Sequence, residues 1–143
     1  MAETYKGGCH CGAVRYECSA EPLLGGHCQC RTCQQLSGAP HVTHIAFPSA
    51  AVVIHGVVKT YDSQADSGST VTNAFCPHCG SPIYGKTSGI PDMITVRATS
   101  LDDPSAVAPQ MVVFTKSGQP WDHMGGDLPA FEGMPPMEAM SQS

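Results

Sequence analysis

Apolar and polar positions alternate along much of the chain, and this alternation predicts short β-strands rather than long helices. In residues 13–19, Val14, Tyr16 and Cys18 fall on one face and two charged residues fall on the other, which is the period-two pattern of a half-buried strand. Similar runs predict further strands at HVTHIAF (41–47), AVVIH (51–55), VVKTY (57–61), TVTNAF (70–75), MITVRA (93–98) and MVVFT (111–115).

The segments between these runs carry turn-forming or polar residues. Residues 1–6 form a polar lead-in, residues 21–26 (EPLLGG) a turn and residues 62–69 (DSQADSGS) a solvated loop. Residues 31–37 are the only short stretch that favours a helical turn. A proline and a glycine interrupt residues 41–61, which suggests a meander of short strands there.

No repeat or linker divides the chain, so the sequence predicts one domain over residues 1–131, mainly β, followed by a flexible tail at residues 132–143. The composition agrees, because 15 glycines and 12 prolines among 143 residues favour short strands joined by many turns. Charged residues make up only 13% of the chain, about half of the usual ~25%. This mixture argues against a helical bundle or a coiled coil.

Charge and hydropathy exclude several classes of partner. The formal net charge is −5, the wrong sign for binding nucleic acid through its phosphates or an anionic membrane surface. The longest apolar run, residues 50–54, is far shorter than the ~20 residues of a transmembrane helix, and the N-terminus shows no apolar signal sequence. We therefore expect a cytoplasmic protein, in whose reducing surroundings clustered cysteines favour metal ligation or thiol catalysis over disulfides.

Two cysteine pairs predict a closed metal site. Cys76 and Cys79 form a C-x2-C knuckle followed by a glycine, and its turn aims both sulfurs at one point. Cys9 and Cys11 face the same way if their segment is extended. The two pairs together supply the four sulfurs of a structural zinc site. Disulfides or free thiols are the alternative interpretation, and iron would also suit a four-sulfur site.

A third cluster, Cys28, Cys30 and Cys33, supplies only three thiolates, which is typical of an open, catalytic zinc site. The remaining cysteine, Cys18, alternates with core residues and is better placed as a small hydrophobe. One alternative at this cluster is a disulfide between Cys28 and Cys33 in metal-free protein. The other is a closed site whose fourth ligand is a histidine, the candidates being His27, His41, His44 and His78.

Several flanking motifs accompany the three clusters in a fixed order. They are G-x-C-x-C-G-x-V-x-Y at residues 7–16, a C-x-C-x2-C run that continues into Ser-Gly-Ala-Pro at residues 37–40, FCPHCGS at residues 75–81, Val-Arg at residues 96–97, Leu-Asp-Asp-Pro at residues 101–104, and the stretch from Pro-Trp to Leu-Pro at residues 120–129. With these motifs the chain resembles, from about Tyr5 to Phe131, the family of glutathione-dependent formaldehyde-activating enzymes and centromere-protein-V-like domains (the GFA family).

The resemblance implies a β-tent fold, in which antiparallel sheets carry two zinc ions per chain. It also implies that the four cysteines of the closed site hold the structural zinc and that Cys28, Cys30 and Cys33 hold the catalytic zinc. The activity it implies is that of a carbon–sulfur lyase acting on a small thiol or its aldehyde adduct, as in S-hydroxymethylglutathione. Glutathione or another small thiol would then be the co-substrate.

The ligand set constrains the chemistry of the second site. Three thiolates and one Zn²⁺ sum to a charge of −1, which makes the metal a poor Lewis acid for water and better suited to capturing a thiol as its thiolate. Addition of that sulfur to an aldehyde gives a hemithioacetal, and the reverse step cleaves a carbon–sulfur bond. Arg31, between two of the ligands, is the candidate to contact a substrate carboxylate; alternatively it is a solvent-facing charge or the partner of a nearby acid.

Two other functions are compatible with the sequence. A non-catalytic scaffold or interaction module would use both metals structurally and would have saturated coordination at each. Methionine sulfoxide reduction on a related zinc-containing fold would need a redox cysteine outside the metal sites, and only Cys18 is available for that role. The sequence leaves the oligomeric state open, and a homo-oligomer is compatible with its apolar strand faces.

Overall fold

The computed structural model describes residues 4–135, and in this range the secondary structure is mainly β, as predicted. One α-helix is present, α1 (Arg31–Ser37), in the segment where a helical turn was expected. Short 3₁₀ turns lie at Ser49–Ala51, Ala98–Ser100, Pro104–Ala106 and Thr115–Ser117. The strands are β1 (Tyr5–Gly8), β2 (Arg15–Cys18), β3 (Leu24–Cys28), β4 (Val42–Pro48), β5 (Val52–His55), β6 (Lys59–Gln64), β7 (Thr70–Phe75), β8 (Pro82–Thr87), β9 (Met93–Arg97) and β10 (Met111–Val113).

The chain divides into two compact units, each built from two separate segments. The first unit contains the described residues up to Leu23 together with Ile45–Val107, and the second contains Leu24–His44 together with the described residues from Ala108 onward. The prediction of one family domain over residues 1–131 stays a prediction. Most of the predicted tail, residues 136–143, lies outside the described residues.

In the first unit, β1, β2 and β5 form an antiparallel sheet, and the part of β4 from Ile45 onward lies side by side with β9, β8, β7 and β6, in that order. On β2, the alternation predicted from the sequence is present, because Tyr16 and Cys18 are buried while Glu17 is exposed. Tyr16 lies opposite Gly7 on β1. A Cβ atom at Gly7 would lie only 2.4 Å from the phenolic oxygen of Tyr16, so the close packing of these strands requires glycine there.

The core of the first unit is formed by side chains from both groups of strands. Its largest fully buried members are Tyr16, Phe47, Ile45 and Ile83. Burial of such side chains contributes about 1.5–3 kcal/mol each relative to exposure. The remaining core residues are Tyr5, Cys9, Val14, Cys18, Cys76, Ile94, Val96, Ala98 and Leu101.

In the second unit, β10 pairs with β3 in parallel. Met111 lies opposite Gly26, and Val113 lies opposite Cys28. A small apolar cluster packs around Met111, Val113 and Cys28, and it includes Phe114 and Phe131. This cluster supports the end of β3, where the first cysteine of the three-cysteine cluster is placed.

Several expectations about the strands are wrong. The predicted turn at residues 21–26 ends in strand β3, because pairing with β10 holds its two glycines in an extended conformation. The polar lead-in contains the start of β1, and β6 runs into the predicted solvated loop. The expected meander over residues 41–61 does not form, because β5 pairs with β2 and β6 pairs with β7. Strand β8 was not predicted.

Candidate metal centres

The first unit brings together the four cysteines predicted to form the closed site. Cys9 directly follows β1, Cys11 lies in the turn after it, and the Cys76–Cys79 pair follows β7. The Sγ atoms of Cys9 and Cys11 are 3.6 Å apart, and those of Cys11 and Cys76 are 3.7 Å apart. All four sulfurs lie within 4.8 Å of one another. Cys9 and Cys76 are buried, whereas Cys11 and Cys79 are exposed.

The backbone around this cluster is folded so that N–H groups face the sulfurs. Gly80 has a φ of 79°, which a side chain would disfavour, and its N–H donates to the carbonyl of Cys76 at 2.8 Å. The N–H of His78 then donates to the Sγ of Cys76 at 3.4 Å, and the N–H of Val14 donates to the Sγ of Cys9 at 3.2 Å. Such donors stabilise sulfur in its anionic form.

The sulfur positions fit a metal ion better than they fit disulfides. A tetrahedral zinc with Zn–S bonds of ~2.3 Å places its sulfurs about 3.8 Å apart, whereas a disulfide requires ~2.05 Å. The sulfur–sulfur separations of 3.6 and 3.7 Å are close to the first value. All eight cysteines are free thiols in the structure, so the disulfide alternative is not realised at this cluster.

Protonation is unequal among the four thiols. A hydrogen bond from the Ser81 hydroxyl, 3.2 Å from the sulfur, lowers the pKa of Cys79 to about 5. The backbone at Ala13 favours the thiolate of Cys11, but the neighbouring sulfurs, Cys9 first, oppose it and raise the pKa of Cys11 to about 11. Four negative charges in so small a volume require a compensating cation, which is what a divalent metal would supply.

The second unit brings together Cys28, Cys30 and Cys33, also as predicted, at a strand-to-helix turn. Cys28 ends β3, Cys30 is the N-cap of α1, and Cys33 lies in the first turn of the helix. The N–H of Cys33 donates to the Sγ of Cys30 at 3.3 Å, and the sulfurs of Cys28 and Cys33 are 3.5 Å apart. The three sulfurs lie within 4.8 Å of one another, and the separation of Cys28 and Cys33 is too long for the alternative disulfide.

One of the four histidines considered as a fourth ligand contacts this cluster. The Nε2 atom of His44, on β4, lies 3.5 Å from the Sγ of Cys33. His27 bonds instead to the hydroxyl of Thr43 at 2.8 Å, His41 bonds to a carboxylate, and His78 lies in the knuckle of the four-cysteine cluster. Within residues 4–135, the group of possible ligand atoms that all lie within 4.8 Å of one another at this site therefore consists of three cysteine sulfurs, without a histidine nitrogen.

The three thiols of this cluster differ in pKa. Hydrogen bonds from Cys28 and then from Cys33 lower the pKa of Cys30 to about 2. The hydrogen bond with Cys30 raises the pKa of Cys28 to about 11. The pKa of Cys33 is also raised, mainly by its hydrogen bond with Cys28. Full deprotonation of the three thiols thus depends on a cation, and the soft donor set suits zinc. This cluster could hold a metal ion with at least one coordination position free of cysteine.

A buried glutamine anchors α1 beside the cluster. Gln34 is only 6% exposed, and its amide N–H₂ donates to the carbonyl of Gln29 at 2.7 Å and to that of Ser117 at 2.9 Å. Its side-chain oxygen accepts from Gln119 at 2.9 Å and from the guanidinium of Arg31 at 2.6 Å. The sequence does not reveal this network because Ser117 and Gln119 lie more than 80 positions from Gln34 in the chain.

Arg31 keeps an uncompensated charge next to the cluster. Its side chain is exposed, and its bond to Gln34 is to a neutral group. Among the ion pairs formed within residues 4–135, none involves Arg31. The alternative that it pairs with a nearby acid is therefore not realised there, and its predicted contact with a substrate carboxylate stays a prediction.

A second polar group that the sequence did not reveal centres on Asp122. Its carboxylate, 8% exposed, lies 3.0 and 3.1 Å from the Nδ1 of His41 and accepts a hydrogen bond from the Gln29 amide at 3.1 Å. Burial alone would raise the pKa of Asp122, but the hydrogen bonds from Gln29 and His41 outweigh burial and lower it. Asp122 is therefore held as a carboxylate.

In the described part of the chain, no helix combines the length and apolarity that crossing a lipid bilayer requires.

Comparison with known proteins gives both structural matches and a family match. A crystal structure of a Rhodobacter sphaeroides protein, solved as a structural genomics target, resembles the chain with a TM-score of 0.55 at 24% sequence identity, covering 73% of this chain and 91% of that one. This likeness concerns the fold. A search of curated proteins gave no match. The model of the family described as glutathione-dependent formaldehyde-activating enzyme (GFA) matches residues 4–117.

Proposed function

The chain belongs to the family of glutathione-dependent formaldehyde-activating enzymes, and from this premise we propose that it is a zinc-dependent carbon–sulfur lyase. Its substrate would be a small thiol or the adduct of that thiol with an aldehyde. The observation that carries the proposal is the three-cysteine cluster, in which three sulfurs converge and no fourth cysteine joins them within the described residues. Three protein ligands and one exchangeable position are typical of catalytic zinc.

The two clusters would serve different roles. Cys9, Cys11, Cys76 and Cys79 would hold a structural zinc, because four sulfurs complete a tetrahedral site. Cys28, Cys30 and Cys33 would hold a catalytic zinc, which when bound supplies a soft cationic site for a substrate sulfur. The chain itself would hold the three thiolates in fixed positions. One contact that does so is the hydrogen bond from the N–H of Cys33 to the Sγ of Cys30.

The exposed positive charge of Arg31 favours an anionic substrate such as glutathione. The guanidinium is exposed, carries a full charge and is oriented by the buried Gln34. Because it lies between Cys30 and Cys33 in sequence, a carboxylate that it binds would place the attached thiol next to the cluster. An Arg–carboxylate contact fixes orientation through paired hydrogen bonds, and orientation is a large part of the advantage of an intramolecular reaction.

A second function, a scaffold with two structural metals, is favoured by one contact. His44 Nε2 lies 3.5 Å from the Sγ of Cys33, and a Cys₃His set is a closed structural zinc site. If His44 were a ligand, no position would remain for a substrate sulfur. The two functions therefore differ in the number of protein ligands at the second metal.

The coordination of the second metal, with and without glutathione, distinguishes the two functions. We expect two zinc ions per chain, and X-ray absorption should show that added glutathione increases the sulfur ligation of the second metal. Cys30→Ser should abolish formation of the formaldehyde–glutathione adduct, which exchange NMR measures. The same variant should retain one zinc ion per chain.

His44→Ala is the matched variant, because it removes the competing ligand without touching the cysteines. In the lyase it should leave the second zinc bound. Loss of that zinc from His44→Ala, or unchanged sulfur ligation on adding glutathione, would overturn the proposed lyase activity in favour of the scaffold.

A further inference from the structure

Gln29, which separates the first two cysteines of the three-cysteine cluster, is held at three points in the second unit. Its N–H donates to the carbonyl of Val113 at 3.1 Å, and its own carbonyl accepts from the side-chain amide of Gln34 at 2.7 Å. Its side-chain amide donates to the carboxylate of Asp122 at 3.1 Å. Only 5% of Gln29 is exposed. Both backbone polar groups and the side chain of this one residue are therefore paired with other elements of the unit.

The loop after β10 packs directly against the side-chain amide of Gln29. A Cβ atom at Gly118 would lie 2.8 Å from both the oxygen and the nitrogen of that amide, which is too close for nonbonded atoms. The carboxylate oxygen of Asp122 that accepts from Gln29 also lies 3.0 Å from the Nδ1 of His41. Asp122 is thus fixed by a second partner, and the amide of Gln29 has one place to go.

The placement of Gln29 determines where two of the sulfurs point. Cys28 ends β3, and Cys30 has extended dihedral angles, with φ −67° and ψ 152°. Side chains alternate along extended backbone, so Cys28 and Cys30 share one side and Gln29 takes the other. Their sulfurs belong to the group that converges within 4.8 Å. A rotation of the backbone at Gln29 would turn the two sulfurs apart, and the hydrogen bonds of Gln29 oppose that rotation.

We propose that Gln29 is a positioning residue of the second metal centre, held in place by Asp122 and Gly118 from the loop after β10. Its side chain acts indirectly, by fixing the cysteines on either side of it. The proposal rests on the metal site of the proposed function, and it applies whether that metal is catalytic or structural. Removing a group that orients metal ligands from outside typically weakens metal binding about ten- to a hundredfold.

Cobalt binding measures this role, because the absorption of thiolate-bound Co²⁺ reports both the affinity and the ligand geometry of a site. Cobalt-substituted full-length protein would be equilibrated with increasing chelator, and Cys30→Ser, which keeps only the four-cysteine centre, gives the spectrum to subtract. Gln29→Met keeps the length of the side chain but not its amide. It should bind Co²⁺ at the second centre about ten- to a hundredfold more weakly than wild type, with shifted absorption bands. Gln35→Met, the same exchange at an exposed position of α1, should match wild type.

Two further variants test the contacts of Gln29 from the loop. Gly118→Ala alters no polar group, and the φ of −63° at this position suits alanine. It should nevertheless weaken Co²⁺ binding at the second centre, because the methyl group displaces the amide of Gln29. Gln29→Glu alone should weaken binding by setting two carboxylates against each other. Combined with Asp122→Asn it exchanges donor and acceptor, since the new amide at position 122 donates to the new carboxylate at position 29, and most of the lost affinity should return.

The outcomes separate this role from the proposed function. Wild-type affinity and spectrum at the second centre in both Gln29→Met and Gly118→Ala would overturn the positioning role and leave the metal site and the lyase intact. A lower unfolding free energy with unchanged Co²⁺ binding would do the same, because it would make the amide a purely structural contact. An exchanged pair that binds no better than Gln29→Glu alone would also count against the role. Failure of wild-type protein to bind a second Co²⁺ would overturn both the role and the proposed function.

Discussion

At the scale of single residues, Tyr16 illustrates how the first unit packs. Its ring is fully buried, and its hydroxyl is hydrogen-bonded to that of Ser100. Gly7 allows the opposite strand to approach the phenol, because any side chain there would overlap it. Burial raises the pKa of Tyr16 to about 12, although the bond to Ser100 acts in the other direction. The phenol therefore keeps its proton in the folded protein well above the pH at which an unfolded tyrosine loses it.

Replacing Tyr16 should alter the stability of the protein in alkali. An unfolded tyrosine ionises near pH ~10, so the stabilisation from the folded phenol is complete below that pH and is lost as the pH rises towards 12. Over this pH range, the unfolding free energy of Tyr16→Phe should therefore fall by about 2 kcal/mol less than that of the wild type. Urea unfolding of zinc-loaded protein between pH 9 and about 11.5 measures it. The exposed Tyr61 provides the control, Tyr61→Phe, and identical pH slopes for Tyr16→Phe and wild type would contradict the prediction.

At the scale of elements, α1 depends on the loop that follows β10. The helix has only seven residues, too few to be stable alone in water, and Gly38 ends it in a left-handed conformation. The side chain of Gln34 bridges from the helix to the carbonyls of Gln29 and Ser117. The helix carries Cys33 and is capped by Cys30, so the same bridge also fixes two of the three sulfurs.

Removing this bridge should loosen the second unit. Gln34→Leu leaves two buried carbonyls and the Gln119 amide without their partner, and we expect a loss of about 2–4 kcal/mol of unfolding free energy. Gln35→Leu, on the exposed side of the same helix, should change the unfolding free energy by less than about 0.5 kcal/mol. Urea denaturation of both variants measures the difference, and an effect of Gln34→Leu as small as that of Gln35→Leu would show that the bridge does not stabilise the helix.

The strands that could be predicted from the sequence are those whose side chains alternate, such as β2, β7 and β9. Strand β3 could not, because its LGGHC sequence has weak strand propensity and becomes extended by pairing in parallel with β10, more than 80 residues away. Strand propensity describes local fit to a pleated surface. Long-range pairing can override it, and here it did so next to the candidate active site.

The candidate site divides in the same way. The cysteine clusters were predictable because cysteines separated by one or two residues lie close together in space whatever the rest of the chain does. The Asp122 and Gln34 networks were not, because the hydrogen bonds that connect them to residues 117–122 join positions 81–93 apart in the chain. An aspartate after a tryptophan and a glutamine in a short helix give no local signal that distinguishes them from surface residues.

At the scale of the whole molecule, each compact unit contains one cysteine cluster, and the two should affect stability differently. The four-cysteine cluster joins residues 65 positions apart, such as Cys11 and Cys76, and a crosslink closing a loop of this length contributes about 4 kcal/mol by restricting the unfolded chain. The three-cysteine cluster spans only five positions between Cys28 and Cys33. It therefore restricts the unfolded chain far less.

Serine substitutions in the two clusters should separate stability from activity. Cys79→Ser should lower the Tm by about 10 °C, following the loss of about 4 kcal/mol. Cys30→Ser, which removes one thiol in the same way from the other cluster, should shift the Tm by only a few degrees while activity is lost. Calorimetry together with zinc analysis measures both. A larger fall in Tm for Cys30→Ser than for Cys79→Ser would contradict the assignment of the closed site as the structural one.

The parallel pairing of β3 with β10 has a consequence for biosynthesis. Cys28, Cys30 and Cys33 leave the ribosome early, but the strand that supports Cys28 and the loop that anchors Gln34 are both encoded after residue 107. At elongation rates of ~5–20 residues per second, these thiols spend several seconds exposed and unsupported. All four thiols of the four-cysteine cluster are available once Cys79 emerges, so under the proposed function its zinc would bind while the second centre is still unfinished.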